Sequence, residues 1–168
     1  MDTNLINNGY EGDRTAMKEN FRRLGWTADK RVLERQVEWV EKTLQKASKA
    51  DFIFVAGHHP LGTCPRQENG SMPRIKELLL KHRVSAYFFG HHHVLQTTSI
   101  ENTLFVQSGA GGKSEAMCED AVGWGASNQF GFAMTTVSET GFQVEFVNDQ
   151  GQILKRVLGS RRKISLAN

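Results

Sequence analysis

Two stretches of this 168-residue sequence place histidine where a chain can do chemistry: Gly90-His91-His92-His93 and Gly57-His58-His59-Pro60. Each closes an apolar run, Val84 to Phe89 in the first case and Asp51 to Ala56 in the second. Glycine turns the backbone without steric penalty. The first and third histidines of the G-H-x-H stretch are therefore expected on a tight loop, with rings free to reach one or two metal ions. Three imidazoles in a row suit a core poorly, because each brings a polar nitrogen that must be satisfied. A lone histidine is ordinarily structural, and an exposed cluster can simply be solvated. Repetition favours a metal here. Two strands ending in Gly-His, with a helical segment between them, bring both clusters to one end of a parallel sheet, outside the carboxyl ends where open α/β sheets bind ligands.

Imidazole suits zinc, iron, nickel and copper, and manganese in mixed oxygen and nitrogen sites. Three histidines from two loops hold one ion. A pair of ions about 3.5–4 Å apart needs carboxylates as well, one usually bridging. The aspartates Asp2, Asp29, Asp51, Asp120 and Asp149 fall at element starts, turns or helix ends. The only Gly-Asp pair, Gly12-Asp13, lies in a polar stretch with no strand before it. The carboxylate half of a two-metal site is not expected in this chain. A histidine-triad arrangement is set aside too, since it needs alternating rather than contiguous histidines.

The elements that must position these loops follow from periodicity. Asp2 to Ile6 reads as a short strand, and residues 7–25 as a long polar loop with a helical turn near Ala16 to Phe21. Thr27 caps a helix reaching about Lys49, with Leu33, Val37, Val40, Leu44 and Ala47 on one apolar stripe. The strand Asp51–Ala56, the loop 58–70, a helix from about Pro73 to Arg83 capped by Ser71, and the strand Val84–Phe89 make a βαβ unit. After His93 the pattern becomes antiparallel. Leu95–Ile100 and Thr103–Gln107 flank Glu101-Asn102, a hairpin signal. A long loop runs from Ser108 to about Gln129. Phe130–Val137, Phe142–Val147 and Ile153–Val157 then form a meander.

Length and composition fit one globular domain, with 39% hydrophobic and 23% charged residues. The net charge of +3 owes most to Arg161-Arg162-Lys163, read as a solvated end. No basic stripe interleaved with aromatics is present, so nucleic-acid binding is not expected. No apolar stretch is long enough to span a membrane. Cys64 and Cys118 each follow a glycine-rich loop, which leaves two readings open: a disulfide in an oxidising compartment, or two free thiols.

Val55-Ala-Gly-His58 reads as V-x-x-H and Gly90-His91-His92-His93 as G-H-x-H. Together, at βαβ spacing, they resemble the last two of the five motif blocks of calcineurin-like metallophosphoesterases. Asp2-Thr, Gln36-Val-Glu-Trp39, Gly57-His-His-Pro60 and Ser108-Gly-Ala-Gly111 extend the resemblance to the purple (tartrate-resistant) acid phosphatases over residues 1–158, leaving 159–168 as a basic tail. The resemblance implies an α/β fold with a mixed sheet, the C-terminal part of an α/β/β/α sandwich. It implies His58 and His91 on a divalent iron, zinc or manganese ion and His93 on a second, ferric ion. The first three blocks, which carry the Asp, Asp, Tyr and Asn ligands, have no counterpart, so a missing N-terminal half of the same domain is an expected partner. Relatives also place a histidine about nine residues after the V-x-x-H histidine, near the leaving group. Gln67 and Glu68 stand there instead, leaving His59, His92 or Glu68 to take its place.

The expected function is hydrolysis of a phosphomonoester by the intact protein, with this chain supplying the histidine ligands of a dinuclear centre. A secreted or lysosome-like location and self-association through an uncovered sheet belong to the same expectation. The alternative is a non-catalytic fragment or binding module with at most a weak three-histidine site.

Overall fold

The computed structural model describes residues 30–162 together with Met1, Thr3, Glu19, Arg22, Arg23 and Gly25. Apart from Thr3 and Glu19, the strand read at Asp2–Ile6 and the helical turn near Ala16–Phe21 lie outside the described residues, as do most of the loop 7–25, the Gly12-Asp13 pair, the cap at Thr27 and the tail beyond Arg162.

Helix α1 covers Lys30–Lys46. Its stripe of Leu33, Val37, Val40 and Leu44 is buried, and Ala47 packs against the same core. Strand β1 (Phe54–Ala56) is shorter than the apolar run suggests. Its ladder starts late because the Ile53 N–H donates to the Ser85 hydroxyl at 3.1 Å. Helix α2 (Met72–Lys81) buries Met72, Ile75 and Leu79; Ser71 holds the cap position without a side-chain cap bond. Strands β2 (Ala86–Phe89), β3 (Leu95–Ile100) and β4 (Thr103–Ser108) follow. Glu101 and Asn102 both have positive φ, 49° and 69°, the mirror-image turn that matches strand twist in a two-residue hairpin.

Strands β1, β2 and β4 are parallel, β3 runs antiparallel beside β4, and the five-stranded order is β1-β2-β4-β3-β5. Strand β5 (Trp124–Ala126) lies inside the stretch read as loop. Three residues with a central glycine carry no periodic signal, and only pairing with β3 makes them a strand. A second sheet, β6 (Gly131–Val137), β7 (Gly141–Asn148) and β8 (Ile153–Ser160), is the antiparallel meander.

Period-two alternation assigns the layers. Tyr87, Phe89 and Phe105 face α1 and α2, whereas Ala86, Leu104 and Val106 face Phe142, Val144 and Phe146 of the second sheet. The described residues thus stack helices, mixed sheet and antiparallel sheet, an α/β architecture with a mixed sheet as its centre. The outer face of the second sheet exposes Phe132, Met134, Ile153 and Leu158.

The basic end is not simply solvated. The Arg162 guanidinium donates to the carbonyls of Ala50 (2.6 Å), His82 (2.9 Å), Arg83 (3.0 Å) and Ala47 (3.3 Å), and Arg161 pairs with Asp51 at 2.5 Å. Carbonyls freed at the ends of both helices attract a cation, which a reading based on charge runs does not detect.

Candidate metal centre

Strands β1 and β2 end side by side, and their pairing continues into the histidine loops. The Gly57 N–H donates to Phe88 O at 3.0 Å and the Gly90 N–H to His58 O at 3.1 Å. The two loops are thereby held together at the carboxyl ends of parallel strands. The ring atoms of His58, His59 and His91 available to a cation all lie within 4.8 Å of one another. His91 Nδ1 stands 3.3 Å from His58 Nε2. Two imidazole nitrogens sharing one tetrahedral ion at Zn–N distances of about 2.0–2.1 Å lie roughly 3.3–3.4 Å apart, so this donor pair fits a bound cation. Burial, followed by the neighbouring His92 and His58 rings, pushes the His91 pKa below the ordinary imidazole value, although the residue is exposed by surface area.

The sharp turn of the second loop falls at His91, with φ of 69°, and not at Gly90. Left-handed backbone in a non-glycine residue costs energy and clusters at functional sites. Glycine is needed instead at Gly109, where a Cβ would stand 1.9 Å from the His92 carbonyl oxygen, and at Gly57, where it would meet the Tyr87 hydroxyl at 2.4 Å. Both glycines allow close approach of groups that support the histidine loops.

Several of those groups carry no sequence signal. Buried Gln107 on β4 donates to the carbonyls of Gly90 (2.9 Å) and His92 (3.0 Å), fixing the His loop from below. The Tyr87 hydroxyl donates to His59 O at 2.9 Å. Burial raises its pKa, which keeps it a donor. Thr3 Oγ1 accepts from the backbone N–H of His58 (2.9 Å) and of His59 (3.0 Å). With both lone pairs used, its own proton goes to His59 Nδ1 at 2.9 Å. Accepting that proton on Nδ1 leaves Nε2 as the nitrogen that carries hydrogen when the ring is neutral.

His93 stands outside that group. Its Nδ1 lies 2.9 Å from Glu115 Oε2, and its backbone N–H donates to Glu115 Oε1 at 2.9 Å. These contacts, the backbone one first, hold the Glu115 carboxyl down to about 2. His92 turns away from His58: its Nε2 contacts Gln67 Oε1 and its Nδ1 lies 3.3 Å from Glu115 Oε1. Glu68 is not brought to the centre. Its buried carboxylate pairs with Lys76 and accepts the Gly62 N–H at 2.7 Å. His93 is held by the Glu115 side chain. Cys64 and Cys118 form a disulfide with Cα atoms 6.3 Å apart, fastening the loop after His59 to the segment after Glu115.

Comparison with known proteins agrees with this fold. The family model for calcineurin-like phosphoesterase matches residues 6–95, more than half of the chain. The tartrate-resistant acid phosphatase type 5 of Sus scrofa is 32% identical over 142 residues, covering 76% of this chain and 41% of that protein. Its Homo sapiens counterpart is 35% identical over 88 residues, 49% of this chain and 26% of that protein. Among solved structures, GAP50, described as the anchor in the inner membrane complex of Plasmodium, superposes with a TM-score of 0.71 at 21% identity, over 82% of this chain and 45% of that one. Purple acid phosphatase PPD1 from Lupinus luteus seeds gives a TM-score of 0.61 at 23% identity, over 74% of this chain and 28% of that one. At these identities the structural likeness concerns the fold. The chain spans about two fifths of the length of the pig relative. On the family match, and with the mixed sheet and paired histidine loops that accompany it, the chain belongs to the calcineurin-like phosphoesterases.

Proposed function

We propose that this chain supplies the histidine side of a metal-dependent phosphomonoesterase of the acid phosphatase type, whose intact centre is dinuclear. The observation that carries the reading is the convergence of His91 Nδ1 and His58 Nε2 at 3.3 Å, at the carboxyl ends of parallel strands. His58 and His91 hold one divalent ion (iron, zinc or manganese), and His93 holds the second, ferric in the purple enzymes the chain resembles. Bound ions supply Lewis-acid polarisation of the phosphoryl oxygens and activation of water for in-line attack. His59, protonated on Nε2, and His92, held between Gln67 and Glu115, are the candidates to donate to the departing oxygen. The ion-paired Glu68 takes no part.

Carboxylate ligands come from outside the three-ring group, which among the described residues contains histidine alone. An N-terminal half of the same domain is the partner that would bring them. Exposed Trp39 and Phe54 lie beside β1, an edge strand of the described sheet whose Ala56 carbonyl already accepts the Met1 amine at 3.1 Å, and are where that half or another copy of the chain would meet it. The Cys64–Cys118 disulfide supports an oxidising compartment, secreted or lysosome-like. The all-histidine group also favours a second reading, a non-catalytic fragment or binding module with at most a weak three-histidine site.

Mixing the chain with a chromogenic phosphomonoester and Fe²⁺, Zn²⁺ or Mn²⁺ separates the two. Turnover above background that His91→Ala abolishes supports the hydrolase. Metal binding without turnover, or no binding at all, supports the non-catalytic reading, whose site is at most weak.

A further inference from the structure

The residue that fixes the third metal-directed histidine lies 22 positions away from it, in a segment with no motif. Both oxygens of the Glu115 carboxylate are spent on one residue: Oε1 accepts the His93 backbone N–H and Oε2 meets His93 Nδ1, each at 2.9 Å. The backbone returns the contact, since the Glu115 N–H donates to His93 O at 3.1 Å. Glu115 is itself held in place, its own carbonyl accepting the Asn128 N–H at 3.0 Å. Its other neighbours are His92 Nδ1 at 3.3 Å and the exposed Lys113 ammonium at 3.8 Å.

We propose that Glu115 is the positioning residue of His93, locking its ring as the Nδ1–H tautomer and leaving Nε2 as the nitrogen with a lone pair. A carboxylate offers only acceptors, so the proton of this contact belongs to Nδ1. A ring so fixed has one ligand atom and one orientation, and its Nδ1–H···carboxylate contact raises the basicity of the other nitrogen. Thr3 does the opposite to His59 by donating to Nδ1, and so the two rings are sorted into ligand and donor by the side chain behind each. Lys113 and His92 share the carboxylate but make longer contacts, and neither displaces His93.

The inference deepens the reading of the site as a metal centre, and only its affinity arm depends on that reading. In the metal-free full chain, under conditions where imidazoles are neutral, ¹H–¹⁵N correlation across the His93 ring is expected to show the proton on Nδ1. In Glu115→Ala the ring should revert to the Nε2–H form that free imidazole side chains prefer. Glu115→Gln, which keeps an acceptor oxygen, should retain most of the Nδ1–H form and controls for folding, with dispersed amide signals as the check. Zn²⁺ affinity should fall about 10–100-fold in Glu115→Ala and less in Glu115→Gln. An Nε2–H ring in the wild-type chain, or a tautomer unchanged in Glu115→Ala, overturns the proposal. The expected tautomers with no Zn²⁺ binding in any variant would uphold Glu115 as the orienting group and count against the metal reading instead.

Discussion

His91 Nδ1 and His58 Nε2 face each other across 3.3 Å, although 33 residues separate them in sequence. In water-filled space two neutral rings have little reason to hold this approach. One N–H can bridge to the other ring, or one cation can satisfy both. The low His91 pKa, caused first by burial and then by neighbouring imidazoles, disfavours a proton on this ring.

Zn²⁺ or Mn²⁺ is therefore expected to raise the melting temperature of the wild-type chain. Ligand linkage at roughly one hundred times Kd is worth about 2.7 kcal/mol. His91→Ala and His58→Ala should each remove the shift while leaving the metal-free melting temperature nearly unchanged, because both residues are exposed. Differential scanning fluorimetry with and without a chelator reads both. An undiminished shift in either variant would place the ion elsewhere.

Gly90 and Gly109 should behave oppositely, against the usual expectation for a glycine that opens a turn. A methyl at Gly90 meets nothing closer than Gly109 Cα at 3.9 Å, ordinary contact, whereas a methyl at Gly109 would lie 1.9 Å from the His92 carbonyl oxygen. Gly90→Ala should change stability by less than about 1 kcal/mol, and Gly109→Ala should cost about 1–3 kcal/mol. Gly109→Ala should also weaken metal binding by displacing the His loop. Urea unfolding and isothermal titration measure the two effects.

Arg162 ties the ends of α1 and α2 to the strand β8 that precedes it, through carbonyls of Ala50, His82 and Arg83 at 2.6, 2.9 and 3.0 Å. Arg162→Ala should destabilise the chain by about 2 kcal/mol, the range for hydrogen bonds from a charged group. Arg162→Lys should recover only part, since an ammonium lacks the planar fork that spans several acceptors. Equal urea midpoints for wild type and Arg162→Ala would show that the end of the chain contributes nothing.

His82 supplies a pH dependence. Its Nε2 is buried with no hydrogen-bond partner among the described residues, and burial, then Lys81, lowers its pKa from the ordinary 6.5. The unfolded chain binds this proton more readily than the folded one. The contribution to stability is therefore complete above pH 6.5 and is lost as pH falls through the lower folded-state value. In the metal-free chain, melting temperature should decline less steeply on acidification in His82→Leu than in wild type. Parallel declines would exclude His82 as a source of the acid sensitivity.

What the sequence determined by itself was local and periodic. Histidines after Gly at two apolar runs, the stripe Leu33-Val37-Val40-Leu44, and the Glu101-Asn102 turn are each legible because spacing and turn chemistry act within a few residues. Tertiary structure alone decided the rest: that Glu115 holds His93, that Thr3 takes up His59 Nδ1, that His91 rather than Gly90 carries the left-handed turn, that Glu68 pairs with Lys76, and that Arg162 closes two helices. Each of these depends on polar contacts between residues apart in sequence, or on one residue's backbone torsion. Such contacts have no period and no preferred spacing, so they exist as information only once the chain has brought the partners together.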